Sequence, residues 1–278
     1  MSDEEGAIYS YGVTEITTSA DTISLHAEEI KVKGFTIIPD ILSFDEVELA
    51  KTKVHSVYET QLNELNKEVF DSIGDYDIAR ALLVYDEFFL KKIVCNPTLI
   101  SLLTATLGKQ FIIKEQNAII NRAHSPNYQL KWHRDLLYQH FIISRPLAIS
   151  ALFCLEDFTE INGGTFVLPG SHKTEKFPSE FYIKANEQCV NAPKGSAIVF
   201  DSMLYHRAGR NVSDNNRIGI NNMFVQPFMK QAISFPKMLN GKYNDDRFLN
   251  KLLGYSTETD ESVVDWRNER FSRIAKKQ

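Results

Sequence analysis

Two residues of the segment Trp132-His133-Arg134-Asp135 are spaced for metal chemistry. On an extended strand, side chains two apart share a face, so His133 and Asp135 can reach one ion together. A third ligand is available in His206, within Tyr205-His206-Arg207, just after the strand-like run Gly195-Ser-Ala-Ile-Val-Phe200. Two neutral imidazoles and one carboxylate form the facial set of non-haem iron(II) oxygenases, which leaves coordination positions open. The same set also binds zinc with a position left for water, so a metal hydrolase is the competing chemistry. Arg217 follows His206 by 11 residues and begins Arg217-Ile-Gly-Ile-Asn-Asn-Met-Phe224. A β-turn between them would place Arg217 near the ion on the adjacent strand. Its planar fork suits a carboxylate, such as the distal one of 2-oxoglutarate. A His-x-Asp triplet alone is common by chance, and a lone arginine reads as a surface ion pair. The specificity lies in all four residues occurring together in one β-rich stretch.

The elements that must position these residues are legible in outline. Ser43 and Glu46 have the spacing of a capping box, Leu42 and Val47 that of a hydrophobic staple. Val47, Ala50, Val54, Val57 and Tyr58 then recur at helical intervals, predicting a helix over 44–65. A second helix is punctuated by Asn96 as N-cap, Pro97 in the first turn and Gly108 at its end. Gly34–Pro39 reads as a short strand. From 111 onward, β-branched and aromatic runs alternate with turns, predicting strands over 111–121, 148–155, 164–168, 196–201 and 217–226. Asn162-Gly163-Gly164 and Pro193-Lys194-Gly195 are turn signals. Helices first and many short strands later predict a mainly β fold with a helical layer, the jelly roll being one such solution. Residues 1–25 are expected to be a flexible segment, and 26–278 one catalytic domain with its core at 111–227. A helical or lid segment follows, with 242–254 helical up to Gly254.

Bulk properties exclude several classes. The 278 residues carry a net charge of −5, which argues against a general nucleic-acid or anionic-membrane partner. Three scattered cysteines without a CxxC argue against a disulfide framework or a cysteine zinc site. The acidic N-terminus is no signal peptide and no apolar run reaches 18 residues, so a cytoplasmic location is expected.

Three stretches together resemble the phytanoyl-CoA dioxygenase family: WHRDLLY at 132–138, NGGTFVLPGSHK at 162–173, and PKGSAIVFDSMLYHRAGRN at 193–211 followed by Arg217. That resemblance implies a double-stranded β-helix (cupin-like jelly roll) with iron(II) at one mouth and 2-oxoglutarate and O₂ as co-substrates. It implies His133, Asp135 and His206 as ligands and Arg217 as the co-substrate anchor. Relatives place a serine two residues after the distal histidine and a tryptophan on the strand near 152. Here those positions are Ala208 and Leu152. Arg122 on the strand before the triplet, with Lys114 and Asn121 as rivals, and Thr165 complete the expected co-substrate contacts. Related halogenases lack the carboxylate, so Asp135 implies hydroxylation or a further oxidation.

Around this centre the sequence offers further candidates. Tyr138, Gln139 and His140 follow the triplet and are expected at the substrate, since loops on rigid scaffolds carry binding residues. Asp201 and Asn211 flank His206 and are candidates to orient it. His172 is read as holding its loop, Lys131 and Arg134 as surface charge, and Phe235, Met238 and Tyr243 as core or lid. The expected substrate is a free small molecule such as an amino acid, amino-sugar or specialised metabolite. Acyl-CoA 2-hydroxylation is the runner-up, and a non-catalytic jelly-roll binding protein is the non-enzymatic alternative.

Overall fold

The computed structural model describes residues 12–13, 19–125 and 128–275. Most of the expected flexible segment at 1–25 lies outside the described residues. Its end is helical: Asp21 accepts from Ser24 N and starts α1 (Thr22–Lys33). After β1 (Phe35–Ile38), α2 (Phe44–Leu65) begins at the expected capping box, with both reciprocal bonds between Ser43 and Glu46 in place. α3 (Lys67–Ile73), β2 (Ile78–Arg80), α4 (Leu82–Tyr85) and a π-helical turn at Phe89–Val94 lead to α5 (Pro97–Leu107). Asn96 caps α5 by accepting from Thr98 N and Leu99 N.

The remaining strands are β3 (Ile112–Asn121), β4 (Ala148–Cys154), β5 (Thr165–Val167), β6 (Gln188–Val190), β7 (Ala197–Asp201), β8 (His206–Ala208) and β9 (Arg217–Val225). They form two antiparallel sheets, β1-β7-β4-β9-β3-β2 and β6-β5-β8, the jelly-roll arrangement. The helices α6 (Glu180–Asn186), α7 (Phe235–Met238), α8 (Arg247–Leu252) and α9 (Val263–Ala275) complete the chain. The helix expected over 242–254 is shorter in the structure. Tyr243 has φ 73°, and Asp246 caps Phe248 N and Leu249 N, so α8 cannot start earlier.

Strand alternation gives the large sheet two distinct faces. Ile113, Ala118, Phe153, Val199, Ile220 and Phe224 pack with Val54, Leu99 and Leu102 of the helical layer in one cluster. Burying each of the larger of these side chains contributes roughly 1.5–3 kcal/mol, so this layer fixes the sheet firmly. Leu152, Cys154, Ile198 and Phe200 point the other way and pack with Val167 and Val190 of the small sheet. The β3 register shifts between Ile113 and Glu115, a bulge at Lys114. That extra residue reverses the alternation. Ile113 and Gln116 face the helices, while Glu115, Asn117 and Ile119 face inward and line the cavity described next. Among the described residues no helix is long and apolar enough to cross a membrane.

Candidate metal centre

His133 and His206 are joined through their backbones before their side chains meet. His133 N donates to His206 O (3.0 Å) and His206 N to His133 O (3.1 Å), an isolated antiparallel bridge at the edge of β8. Asp135 N donates to Ser202 O (3.0 Å), which extends the segment along the β7–β8 connection. Asp135 Oδ1 then lies 3.4 Å from His206 Nε2 and 3.8 Å from His133 Nε2. One ligand atom from each of the three falls within 4.8 Å of the others. The sequence-level pairing of His133 with Asp135 and the distant His206 is thus one cluster.

Hydrogen bonds fix the histidine tautomers. His133 Nδ1 lies 2.8 Å from Lys131 O and His206 Nδ1 3.0 Å from Leu204 O. A carbonyl only accepts, so each Nδ1 carries a proton, which leaves Nε2 as the nitrogen available to a metal. Asp135 Oδ2 accepts from Ser150 Oγ (2.5 Å) and from Asn221 Nδ2 (3.4 Å), leaving Oδ1 toward the imidazoles. Burial pushes the Asp135 carboxyl up, but the charge and hydrogen bond of His206 outweigh it, with help from His133 and Ser150, so it is held below the ordinary carboxylate range. Burial and the neighbouring His206 push His133 down. His206 itself is buried, but Asp135 overcomes that burial and raises it. The centre therefore offers an anionic oxygen and imidazole nitrogens, a donor set suited to a divalent ion.

Arg217 enters from β9, on the opposite sheet from His206, and not from the adjacent strand that the sequence predicted. The turn after β8 crosses between the sheets and is tied by fully buried Asn211, whose Nδ2 donates to Asn121 O (2.9 Å) and Asn215 O (2.9 Å). Arg217 is 3% exposed, and its guanidinium stacks 4.2 Å from the Phe158 ring centroid. Its Nε is buried without an acceptor, and no carboxylate among the described residues pairs with it. Burial brings its pKa down to about 10. An unpaired buried guanidinium is costly, and a dicarboxylate ligand would complete it. A cavity of about 260 Å³ contains the three cluster residues, Arg217, Leu152 and Thr165 in its wall. The residues present fit a metal with a keto-acid co-substrate.

Other expected positions fall elsewhere. Arg122 follows the end of β3, points outward and pairs with Asp77 at 2.5 Å, so it cannot assist Arg217. Its rivals do not line the cavity either. Asn121 Nδ2 donates to Gly163 O (3.4 Å) and Gly209 O (3.2 Å), and Lys114 sits in the bulge. Tyr138 is 93% exposed and His140 is exposed. Gln139 is buried but spends its amide on Phe141 O (3.0 Å). None of the three lines the cavity, because Leu136 anchors in an apolar cluster and the turn from Leu136 to Gln139 sends the next side chains away. Leu137 is the residue of this loop in the cavity wall.

Asp201 accepts from Met203 N (2.9 Å), and burial pushes it up to about 6. His172 reaches Lys31 O (3.3 Å) from its loop. Arg134 is a buried staple and not a surface charge: it donates to Met203 O (2.8 Å), Ser171 O (3.0 Å), Glu175 O (3.2 Å) and Thr174 O, and stacks on Tyr205. Phe235 is in the core, and Tyr243 bonds Glu87 (2.6 Å), so neither closes over the site.

Sequence reasoning passed over Ser150, Asn221, Glu115 and Asn117. Ser150 was detectable as the one hydroxyl in the apolar run Ala148–Cys154, and Asn221 as a polar residue inside a strand. The inward turn of Glu115 depends on the bulge and had no sequence signal.

Comparison with known proteins agrees with this geometry. The family model for phytanoyl-CoA dioxygenase (PhyH) matches residues 30–219. An uncharacterised protein of Mycobacterium tuberculosis is 31% identical over 230 residues, covering 81% of this chain and 82% of that protein. Dioxygenase af480 of Aspergillus fumigatus is 26% identical over 238 residues, covering 82% and 74%. Among solved structures, EctD from S. alaskensis with 2-oxoglutarate and 5-hydroxyectoine superposes with a TM-score of 0.63 at 19% identity, covering 76% of this chain and 79% of that one.

Proposed function

The chain belongs to the phytanoyl-CoA dioxygenase family and is a dioxygenase of the iron and 2-oxoglutarate type, and from that premise we propose that it hydroxylates an unactivated C–H bond of a free small molecule. His133, Asp135 and His206 hold iron(II), and Arg217 anchors the distal carboxylate of 2-oxoglutarate. The observation that carries this reading is the unpaired, buried Arg217 in one cavity with the His-Asp-His cluster. When bound, the metal and its co-substrate supply the oxidising power, coupling O₂ consumption to conversion of 2-oxoglutarate into succinate and CO₂.

The chain's own residues supply placement. Lys131 O and Leu204 O hold the two imidazoles with Nε2 inward, and Ser150 and Asn221 hold Asp135. Arg217, buried with its guanidinium stacked on Phe158, fixes the orientation of the keto acid through a charge-assisted pair. Leu152 and Thr165 form the wall beside it. Residues 26–278 act as one catalytic domain in this reading.

Release of succinate from 2-oxoglutarate by the iron(II)-loaded protein, with and without O₂, tests the proposal. O₂-dependent release supports it. Hydrolytic activity without O₂ and no succinate would favour the zinc-hydrolase alternative.

A further inference from the structure

The inward face of β3 and β9 carries polar groups that the metal and co-substrate leave unused. Asn221 lines the cavity directly across from Asn117 in the β3–β9 register. Its amide orientation is set by Asp135, because a carboxylate can only accept, so Nδ2 faces Asp135 and Oδ1 faces away. That Oδ1 is buried with no donor. Asn117 is engaged at both ends: Oδ1 accepts from Arg80 (3.3 Å) and Nδ2 donates to Glu115 (3.4 Å). Arg80 is neutralised by a two-point pair with Asp75. Arg207, also in the wall, is paired with Glu187 at 2.7 Å. Glu115 is different. It is a cavity-lining carboxylate whose nearest cation, Lys114, stands off at 3.8 Å. The bulge at Lys114 is what turns it inward.

After Arg217 is satisfied by a keto acid, two acceptors on this face keep spare capacity: the Glu115 carboxylate, held by one amide donor and a long ion pair to Lys114, and the orphaned Asn221 Oδ1. A ligand that completes them must bring donors, and a cation completes Glu115 best. The cavity is about 260 Å³ and is shared with the co-substrate, below the roughly 300–1,000 Å³ of pockets for drug-sized ligands. We propose that the substrate is a compact molecule with a protonated amine, its ammonium group read by Glu115 and an N–H or O–H donor by Asn221 Oδ1. This rests on the functional reading above and narrows it to a substrate class. It disfavours an acyl thioester, whose acyl chain brings neither cation nor donor to this face.

The test uses the whole chain loaded anaerobically with manganese(II) and 2-oxoglutarate. Bound manganese broadens the NMR lines of any molecule held near it. The probes are piperidinium, cyclohexanol, cyclohexanecarboxylate and octanoyl-CoA. Piperidinium should be broadened most, and its binding should weaken about tenfold in Glu115→Gln, the scale of one charge-assisted hydrogen bond. Glu115→Lys should reverse the preference toward cyclohexanecarboxylate. The inference is overturned if another probe is broadened as strongly as piperidinium in the native chain, if no probe is broadened, or if Glu115→Gln binds piperidinium unchanged. The lines of 2-oxoglutarate separate the two levels. If they too stay sharp, the functional reading itself fails. If they broaden and piperidinium does not, only the substrate class fails.

Discussion

His133 and His206 exchange both of their backbone hydrogen bonds, at 3.0 and 3.1 Å, although they lie 73 positions apart in the sequence. The centre is therefore a piece of sheet before it is a metal site. The imidazole spacing follows from strand pairing, and the ring centroids lie 4.3 Å apart. Asp135 is added by the two-residue period of the same extended segment. Such a site is positioned by backbone geometry, which is stiffer than loops or long side chains.

Arg217 should show opposite effects on binding and stability. Its guanidinium is buried without a carboxylate. Arg217→Met should raise the 2-oxoglutarate concentration for half-maximal succinate formation about 10–100-fold, the value of one or two charged hydrogen bonds. The same variant should melt at a higher temperature than the native chain without co-substrate, because replacing a buried charge by an apolar group is often neutral or stabilising. Arg217→Lys should not restore the native requirement, since a point charge lacks the planar fork. A variant that binds 2-oxoglutarate normally would remove the anchor from the account.

Ser150 acts on the metal through Asp135. Ser202 Oγ lies 2.8 Å from Ser150 Oγ, which donates to Asp135 Oδ2, so two hydroxyls in series aim the carboxylate. Ser150→Ala should weaken metal binding about 10–100-fold, as loss of such support typically does. Competition against a chelator measures this. Unchanged affinity would mean that the Asp135 orientation is set by the backbone alone.

Arg134, beside two ligands in sequence, should prove structural. It serves four backbone carbonyls of the 171–175 and 203 segments. Arg134→Ala should lower the unfolding free energy by at least about 3 kcal/mol, since several charged hydrogen bonds are lost and buried acceptors are left bare. The urea midpoint reads it. A loss of activity with native stability would instead place Arg134 in binding.

Asp201 should make stability fall with pH. Burial raises its folded pKa to about 6 from the ordinary 3.8. Below the unfolded value both states hold the proton and nothing is lost. As pH rises from about 4 through 6 the unfolded state ionises first, so stability drops, by up to about 3 kcal/mol above that window. Asp201→Asn keeps the acceptor for Met203 N and removes the ionisation. It should therefore melt higher than the native chain at pH 7.5 and about equally at pH 4. Equal melting differences at both pH values would contradict the assignment.

Local chemistry made much of this legible in the sequence. The capping box at Ser43 and Glu46, the Asn96-Pro97 start and the β-branched runs fixed α2, α5, β3, β4, β7 and β9 within a residue or two. His133, Asp135, His206 and Arg217 share one cavity wall, although Arg217 reaches it from the opposite sheet and not from the adjacent strand that the spacing suggested. What escaped is what depends on tertiary geometry. The three-residue strands β2, β5, β6 and β8 are too short to show a period, although β5 fell within a predicted run. The sheet crossover between His206 and Arg217 reads as a simple turn in one dimension. The loop from Tyr138 to His140 reads as a site by proximity in sequence, yet Leu136 anchors it so that these side chains leave the cavity. Arg134 reads as surface charge until its four carbonyl partners are seen.

In the proposed centre one divalent ion and one 2-oxoglutarate are held together by His133, Asp135, His206 and Arg217. Anaerobic calorimetric titration of 2-oxoglutarate into the iron(II)-loaded chain tests it most directly. One molecule should bind per chain, only when metal is present, with binding abolished in His206→Ala and about 10–100-fold weaker in Arg217→Met. Binding that is indifferent to the metal, or equal in these variants and the native chain, would contradict it.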